Sequence, residues 1–239
     1  MVTQAEGGPR ARYREQTRGE IKQIAMRQLA EGGVDAVAFT RIAKELGLSG
    51  PALYRYFAGR DDLLSALIRD AYDDAAATFA RIAEASANLT PRERLHALAR
   101  EYRDWAVAEP RRYMLIMGSP LPGYAAPPDT LVRARDALAP FVEVFRDARP
   151  SEAVLPVVRQ METWTAGDPE AAEWVERCTA GAGTGVRAGT ALAGAVLTWT
   201  RVHGVVSLEV VGQFATMGHD PGTLLEAETT TLADAFGLA

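Results

Sequence analysis

The chain has 239 residues, of which 48% are hydrophobic and 24% are charged, so a wholly disordered protein is excluded and a real hydrophobic core can form. The single cysteine, Cys178, excludes an intramolecular disulfide and a cysteine-based zinc cluster. No run of 18 apolar residues occurs, and residues 1–18 lack the apolar core of a signal peptide. We therefore expect a cytoplasmic protein that does not bind membranes.

The net charge of −5 is unevenly distributed along the chain. Residues 1–60 carry a balance of +4, whereas residues 61–239 carry −9. A basic end attached to an acidic body indicates that this end binds a polyanion, although four charges alone are also compatible with chance variation in composition.

The N-terminal part begins with a polar segment, residues 1–12, which we expect to be a loose tail. Helical spacing of apolar residues starts at Tyr13, is interrupted by Gln28 on the apolar face, and ends at the Gly32-Gly33 pair. A short apolar connector, residues 34–39, follows.

Beyond residue 60, the chain shows helical periodicity throughout, with breaks at a proline-rich segment, 118–128, and a glycine-rich hinge, 181–185. The predicted helices cover residues 61–87, a segment opened by Pro91, and residues 110–117, 130–148, 151–164, 169–178, 187–214 and 221–237. No alternating strand pattern occurs, so the fold class is all-α.

Residues 39–57 form the most informative segment. Two short helices are predicted on either side of Gly47, which supplies the positive φ of a tight turn, with Thr40 and Ser49 as their caps. Four apolar residues can form a shared core, namely Ile42, Leu46, Leu48 and Leu53. The pattern is that of a helix-turn-helix, whose second helix enters the major groove of DNA.

The second of these helices carries side chains that suit DNA recognition. Tyr54 and Tyr56 provide hydroxyl groups, Arg55 can bind guanine or phosphate, and Arg60 stands at the start of the next helix, where it can reach the backbone. The alternative is a structural helical hairpin with a solvated charged face.

Several motifs resemble the DNA-binding domain of TetR-type bacterial regulators. They are Thr40-Arg41-Ile42-Ala43 with Gly47, then Leu53-Tyr54-Arg55-Tyr56-Phe57 and Asp61-Asp62-Leu63-Leu64. The resemblance implies a dimeric all-α repressor, with DNA contacts at Thr40, Arg41, Ser49, Gly50, Ala52, Tyr54, Arg55, Tyr56 and Arg60. The chain departs from the family at Arg60, usually a lysine, and at Pro51, which is less usual there.

The C-terminal part resembles a TetR subgroup named for a Trp, His and Gly motif. Trp199-Thr200-Arg201-Val202-His203-Gly204 carries this resemblance, which implies a ligand-binding domain. We therefore divide the chain into a DNA-binding domain at 13–60, a connecting helix at 61–87, and a ligand-binding and dimerisation domain at 88–239.

Aromatic residues and methionines on the apolar faces of the second domain are candidates for the walls of a ligand cavity, although such residues are more often plain core. The candidates are Tyr102, Trp105, Met117, Phe141, Trp164 and His203. His203 is alternatively a core histidine with a satisfied hydrogen bond. No metal motif, nucleophile elbow or phosphate loop occurs, so we expect no cofactor and no enzyme activity.

The expected function is that of a dimeric repressor on a pseudopalindromic DNA operator, released by a small apolar or aromatic ligand. The homodimer is predicted to form through 187–214 and 221–237, placing the recognition helices about 34 Å apart or at a multiple of this distance. Interface surface is predicted at Ala191, Ala193, Ala195, Val202, Val206 and Val210. The alternatives are a DNA-binding regulator controlled by a protein partner and an all-α enzyme or adaptor.

Overall fold

The computed structural model describes residues 8–118, 124–179 and 188–239. Within these ranges the chain forms α-helices and one 3-10 turn, Val34–Ala36, with no strand, so the all-α prediction is confirmed. The helices are α1 Pro9–Gly32, α2 Phe39–Glu45, α3 Gly50–Leu53, α4 Arg60–Ala85, α5 Pro91–Ala108, α6 Pro110–Met117, α7 Asp129–Val144, α8 Leu155–Gly167, α9 Pro169–Cys178, α10 Ala188–Val210 and α11 Pro221–Ala235.

Several predicted helix boundaries are wrong. Helix α7 ends at Val144 rather than at residue 148, and α8 begins at Leu155 rather than at residue 151. At two other boundaries the physical reason is identifiable. Helix α1 begins at Pro9 rather than Tyr13, because proline suits the first helical position even where every neighbouring side chain is exposed. Helix α10 ends at Val210 rather than Phe214, and the chain turns at Gly212, whose φ is +79°. The glycine-rich segment 181–185 and residues 119–123 lie outside the described residues.

The chain separates into two compact units. The first comprises Met1–Ala71 with Met114–Pro127, and the second comprises Tyr72–Tyr113 with Pro128–Ala239. The division passes through helices α4 and α6, so each of these helices contributes residues to both units.

The first unit is built around the apolar faces of α1 to α4. Its most deeply buried side chains are Ile21, Ile42, Leu53, Phe57, Leu63 and Leu64. Gln28, the polar residue on the apolar face of α1, is also buried, and its Oε1 accepts a hydrogen bond of 2.9 Å from the Ala38 amide. A helix-forming glutamine thereby fixes the start of α2, which explains its place on an apolar face.

Helix α10 is the central element of the second unit and packs against α5, α7, α8, α9 and α11. Its length and composition would allow it to cross a membrane, but half of its most apolar window is buried within the chain. This is the environment of a core helix, since neighbouring helices cover its apolar surface.

The predicted interface side chains of α10 face the core of the same chain, which corrects that prediction. Five of the six are buried, namely Ala191, Ala193, Ala195, Val202 and Val206, and Val210 is half-buried. Small residues here allow close helix packing inside one chain. A Cβ at Gly194, for example, would lie 2.2 Å from the Phe145 ring.

Candidate functional site

The turn between α2 and α3 has the hydrogen bonds of a Schellman motif. Gly47 has a φ of +65°, the Leu48 amide donates to the Ala43 carbonyl at 2.8 Å, and the Gly47 amide donates to the Lys44 carbonyl at 3.2 Å. The predicted glycine turn is therefore confirmed. Only glycine reaches this backbone conformation without strain, so the angle between the two helices depends on Gly47.

The two predicted caps are not formed. Thr40 lies inside α2, whose N-cap is Ala38, and the backbone of Ala38 is held by Gln28 from α1. Ser49 is the N-cap residue of α3, but its side chain makes no capping hydrogen bond. Since Ser49 is exposed, its hydroxyl remains available to a ligand of this surface.

Most of the predicted DNA contacts lie on one exposed helix-turn-helix surface. Thr40, Arg41, Ser49, Gly50, Tyr54 and Arg55 are exposed, and Tyr56 and Arg60 are half-buried. Ala52 is only 7% exposed and belongs to the core between α2 and α3, so the structure removes it from this surface.

Helix α3 ends at Leu53 and is shorter than predicted, and the chain continues beyond it in a tighter turn. The Tyr56 amide donates to the Leu53 carbonyl at 2.9 Å, a hydrogen bond of the 3-10 type. Two α1 side chains hold this end: Arg14 donates to the Arg55 carbonyl at 3.3 Å, and Arg18 donates to the Tyr56 carbonyl. Sequence reasoning missed this role of the arginines, although their i, i+4 spacing places them on one face.

The three arginines on this surface differ in whether they form ion pairs. Arg41 pairs with Glu31 at 3.2 Å and Arg60 with Asp35 at 3.1 Å, and both are exposed pairs that contribute little to stability. The Arg55 side chain makes no ion pair with any part of the chain that the structure describes. Of these three arginines, Arg55 is therefore the one that can bind a polyanion without first losing an ion pair to the described part of the chain.

In the second unit, aromatic side chains from five helices form a cluster around Phe79 of α4. The Phe79 ring stacks on Tyr102 at 5.6 Å and meets Trp105 and Phe141 edge-on at 6.0 and 5.6 Å between centroids. Tyr113 of α6 lies 6.1 Å from Tyr102. These distances are those of favourable aromatic contacts. We call Phe79, Tyr102, Trp105, Tyr113, Phe141 and His203 the aromatic cluster.

Hydrogen bonds connect the rim of the aromatic cluster. The Tyr113 hydroxyl lies 2.8 Å from Nδ1 of His203, and the Trp199 ring stacks on His203 at 6.1 Å. On another side, Nε1 of Trp105 donates to Asp74 at 2.9 Å, and Arg112 pairs with Asp74 at 2.8 Å. Burial raises the pKa of Asp74, but these hydrogen bonds outweigh it and the pKa lies below its ordinary value.

The protonation states follow from burial. Burial, and then the nearby Tyr113 hydroxyl, raise the pKa of Tyr102 well above its ordinary value, and burial raises the pKa of Tyr113 to about 12. Burial lowers the pKa of His203. Near pH 7 both phenols are neutral and the imidazole is uncharged, so the tautomer of His203 decides whether Tyr113 donates to Nδ1 or accepts from it.

Four of the six predicted ligand residues meet in the aromatic cluster, namely Tyr102, Trp105, Phe141 and His203. Met117 lies on the part of α6 that belongs to the first unit. Trp164 is 44% exposed on α8 and makes no described ring contact with the cluster. Sequence reasoning missed the central position of Phe79. The apolar stripe on α4 predicts that Phe79 is buried, but it does not show which side chains Phe79 contacts.

The described residues provide neither a metal site nor a reactive thiol. No group of three histidine, cysteine or acidic side chains is placed to hold a metal ion in the part of the chain that the structure describes. Cys178 is half-buried, and burial raises the pKa of its thiol to about 11. A thiol of this kind is a weak nucleophile at neutral pH.

The basic helix-turn-helix surface and the separate helical unit together define a helix-turn-helix transcriptional regulator. Two sequence profiles agree with this class: "Bacterial regulatory proteins, tetR family" matches residues 23–67, and "Tetracyclin repressor-like, C-terminal domain" matches residues 95–232. The chain belongs to the TetR family of bacterial transcriptional regulators, as its motifs implied.

Individual proteins agree with this assignment. The HTH-type transcriptional regulator Rv1816 of Mycobacterium tuberculosis is 35% identical over 227 residues, which cover 94% of each protein. The repressor KstR2 of the same species is 33% identical over 81 residues, which cover 34% of this chain and 40% of that repressor. The crystal structure of SCO4313 superposes with a TM-score of 0.75 at 38% identity, covering 95% of this chain and 99% of that one.

Proposed function

We propose that this chain is a homodimeric repressor that leaves a pseudopalindromic operator when a small, mainly aromatic ligand binds in the aromatic cluster. The observation that carries the DNA-binding part is the exposed α2–α3 surface, with a glycine-fixed turn and the unpaired Arg55 at its centre. Family membership supports the same reading. A free guanidinium on a recognition helix suits guanine or phosphate, both of which are rich in acceptors.

The proposed dimer uses the outer face of α10 and α11 rather than the buried side chains. Thr200, Gly204 and Leu208 are exposed and recur every four residues, so they form one stripe along α10. A Cβ at Gly204 would meet nothing within 4 Å in the isolated chain. On α11 the exposed residues Leu224 and Ala227 offer a similar small and apolar face. Such faces suit close packing of two helix pairs from two copies.

The proposed coupling uses the two helices that contribute to both units. Phe79 lies on α4 and Tyr113 lies on α6, and both side chains belong to the aromatic cluster. A ligand that displaces their rings acts on helices whose other ends belong to the DNA-binding unit. The ligand lowers operator affinity only by the ratio of its affinities for the two conformers.

A second candidate is a regulator of the same family that responds to a protein partner. The close ring packing around Phe79, with centroids 5.6 to 6.0 Å apart, favours this candidate. The rings already pack against one another, so a ligand would have to replace existing contacts. Small-molecule release of DNA from the purified dimer distinguishes the two. A ligand that dissociates the complex supports the first, whereas insensitivity to all small aromatic compounds supports the second.

The DNA-binding part is tested by footprinting the purified protein on the DNA upstream of its own gene, followed by titration in fluorescence anisotropy. Arg55→Ala is expected to weaken binding about 10- to 100-fold, the range for loss of one bidentate base contact. Arg177→Ala is the matched control, since Arg177 is exposed in the second unit and the same charge is removed. Equal losses in both variants would contradict the recognition surface.

A further inference from the structure

The first two turns of α1 lie outside the core of the first unit. Every residue from Pro9 to Gln16 is exposed, and the buried positions of this helix begin at Thr17. Helices in proteins are stabilised mainly by packing one face against neighbouring elements. Two helical turns without such packing leave a surface that another molecule can cover.

Three arginines form one stripe along this part of α1. Arg10, Arg14 and Arg18 recur every four residues, so successive members are only about 40° apart around the helix axis. The stripe continues the side of α1 that carries the buried residues Thr17 and Ile21. It therefore lies on the side of the helix that faces the rest of the first unit. We call these three residues the arginine stripe.

The inner two members attach the arginine stripe to the end of the recognition helix. Arg18 donates to the Tyr56 carbonyl, and its guanidinium lies 4.2 Å from the centre of the Phe57 ring. Arg14 donates to the Arg55 carbonyl at 3.3 Å. Because Arg55 is the exposed cation of the proposed DNA-binding surface, the stripe borders this surface. Its outermost member lies about 6 Å further along the axis of α1.

The charges of the outer two members are not neutralised by the described part of the chain. Arg10 and Arg14 make no ion pair there, and the first turn of α1 contains no acidic residue. Like charges four residues apart on a helix repel each other, so an anion bound between them is favourable. The bond to the Arg55 carbonyl uses one of the five N–H groups of Arg14, which leaves donors for an anion.

We propose that Arg10 and Arg14 bind phosphate groups of the DNA backbone beside the groove that α3 enters. The arginine stripe thereby extends the DNA interface from α3 onto α1. Phosphate contacts hold a protein in register on the duplex and carry no sequence information, so this element adds affinity rather than base selectivity. The inference rests on the proposed recognition surface, and it gives a role to exposed helical residues that the sequence predicts as part of a loose tail.

The salt dependence of DNA binding tests the role of Arg10. Fluorescence anisotropy of the full-length protein on its footprinted operator, between about 0.05 and 0.2 M salt, gives the slope of log K against log salt. Arg10→Ala is expected to reduce the magnitude of this slope by about 0.9 for each bound protomer, the value for one lost phosphate contact. With the intercept at 1 M salt unchanged, this slope corresponds to about 8-fold weaker binding per protomer at about 0.1 M salt.

The loss is expected to be the same on an unrelated duplex of equal length, because phosphates are common to every sequence. Arg55→Ala, in contrast, is expected to weaken binding to the operator more than binding to the unrelated duplex.

Two variants control for charge and for folding. Arg12→Ala is the matched control, since Arg12 is also exposed and lies about 160° from Arg10 around the same helix. Its charge is separated from the stripe by the helix and screened at about 0.1 M salt, so the wild-type slope is expected. Arg10→Lys keeps the charge and is expected to restore the slope. Alanine and lysine are both good helix formers, and circular dichroism checks that all variants remain folded.

Each outcome decides for or against the arginine stripe. A wild-type slope in Arg10→Ala, or equal reductions in Arg10→Ala and Arg12→Ala, overturns the proposed phosphate contact. A loss in Arg10→Ala that is confined to the operator indicates a base contact and also overturns it. Failure of the recognition surface is distinguishable, because Arg55→Ala then binds the operator as tightly as the wild type. The effect of Arg10→Ala on the unrelated duplex still decides whether the stripe binds phosphates.

Discussion

Substitutions at Val206 and Gly204, two residues apart on α10, separate the core of the chain from the proposed dimer surface. Val206 is 0% exposed, so Val206→Asp loses about 1.5–3 kcal/mol of apolar burial and adds several kcal/mol for an unpaired buried carboxylate. The total of roughly 5 kcal/mol or more is comparable with the stability of a whole domain. We therefore expect Val206→Asp to unfold the second unit rather than to give a folded monomer.

Substitutions at Gly204, by contrast, are expected to leave the chain folded. Because it is exposed and a Cβ there meets no atom within 4 Å, Gly204→Ala stabilises the isolated chain by about 0.5–1 kcal/mol, or roughly 2 °C in melting temperature. Gly204→Trp keeps the chain folded but places an indole where the partner helix is proposed to pack, so a folded monomer is expected.

Analytical ultracentrifugation and thermal melting followed by circular dichroism measure both effects on the same samples. Gly19→Trp is the matched control, since Gly19 also lies within a helix with open space at its Cβ but belongs to the first unit. A Gly204→Trp variant that sediments as a dimer at micromolar concentration would place the interface elsewhere. A folded Val206→Asp variant would refute the assignment of Val206 to the core.

Three further predictions concern buried polar groups. In urea denaturation, Tyr113→Phe is expected to lower the free energy of unfolding by about 1–2 kcal/mol, because it removes the hydrogen bond to His203. Because burial lowers the pKa of His203, the unfolded chain takes up a proton first as pH falls below 6.5, so stability decreases from pH 7 to pH 5. In a pH series of melts, His203→Gln is expected to remove the part of this dependence that His203 contributes, while His96, whose pKa burial also lowers, keeps its own part. The thiol of Cys178, with its pKa raised to about 11, is expected to react with a disulfide reagent at pH 8 far more slowly in the native protein than in urea.

The helix-turn-helix could be read from the sequence because its geometry depends on short-range rules. Gly47 was predicted to have a positive φ, and this needs only the local chain. The caps failed for the opposite reason. The start of α2 is fixed by Gln28, ten residues away from its partner Ala38, and a long-range hydrogen bond of this kind leaves no signal in the residues next to the helix.

The role of α10 was predicted only in part because its apolar pattern has two compatible explanations. A helix that is apolar on most sides is buried by its own chain or by a second copy, and periodicity alone does not distinguish the two. The structure assigns Val202 and Val206 to the core of the chain. The exposed stripe reads as Thr200, Gly204 and Leu208, which is less hydrophobic than the core face and was therefore overlooked.

The proposed ligand response also explains why the ring residues lie where they do in the chain. The unit division passes through α4 and α6, and these helices carry Phe79 and Tyr113 of the aromatic cluster. Within the first unit, Ser65 of α4 donates to the Asp61 carbonyl at 2.7 Å, so the Tyr124 hydroxyl, which follows α6, must be the donor in its 2.9 Å bond to Ser65. Tyr124 is therefore bonded to α4 within the first unit.

A ring displacement in the aromatic cluster would thus act on α4 and α6, both of which also contribute residues to the first unit. Thermodynamic linkage makes the effect reciprocal. If the ligand lowers operator affinity by a given factor, the operator lowers ligand affinity by the same factor. A ligand that binds free protein and operator-bound protein equally well cannot be the effector, however tightly it fits the cluster. Measuring the affinity of a ligand with and without DNA therefore distinguishes an effector from a compound that only occupies the cluster.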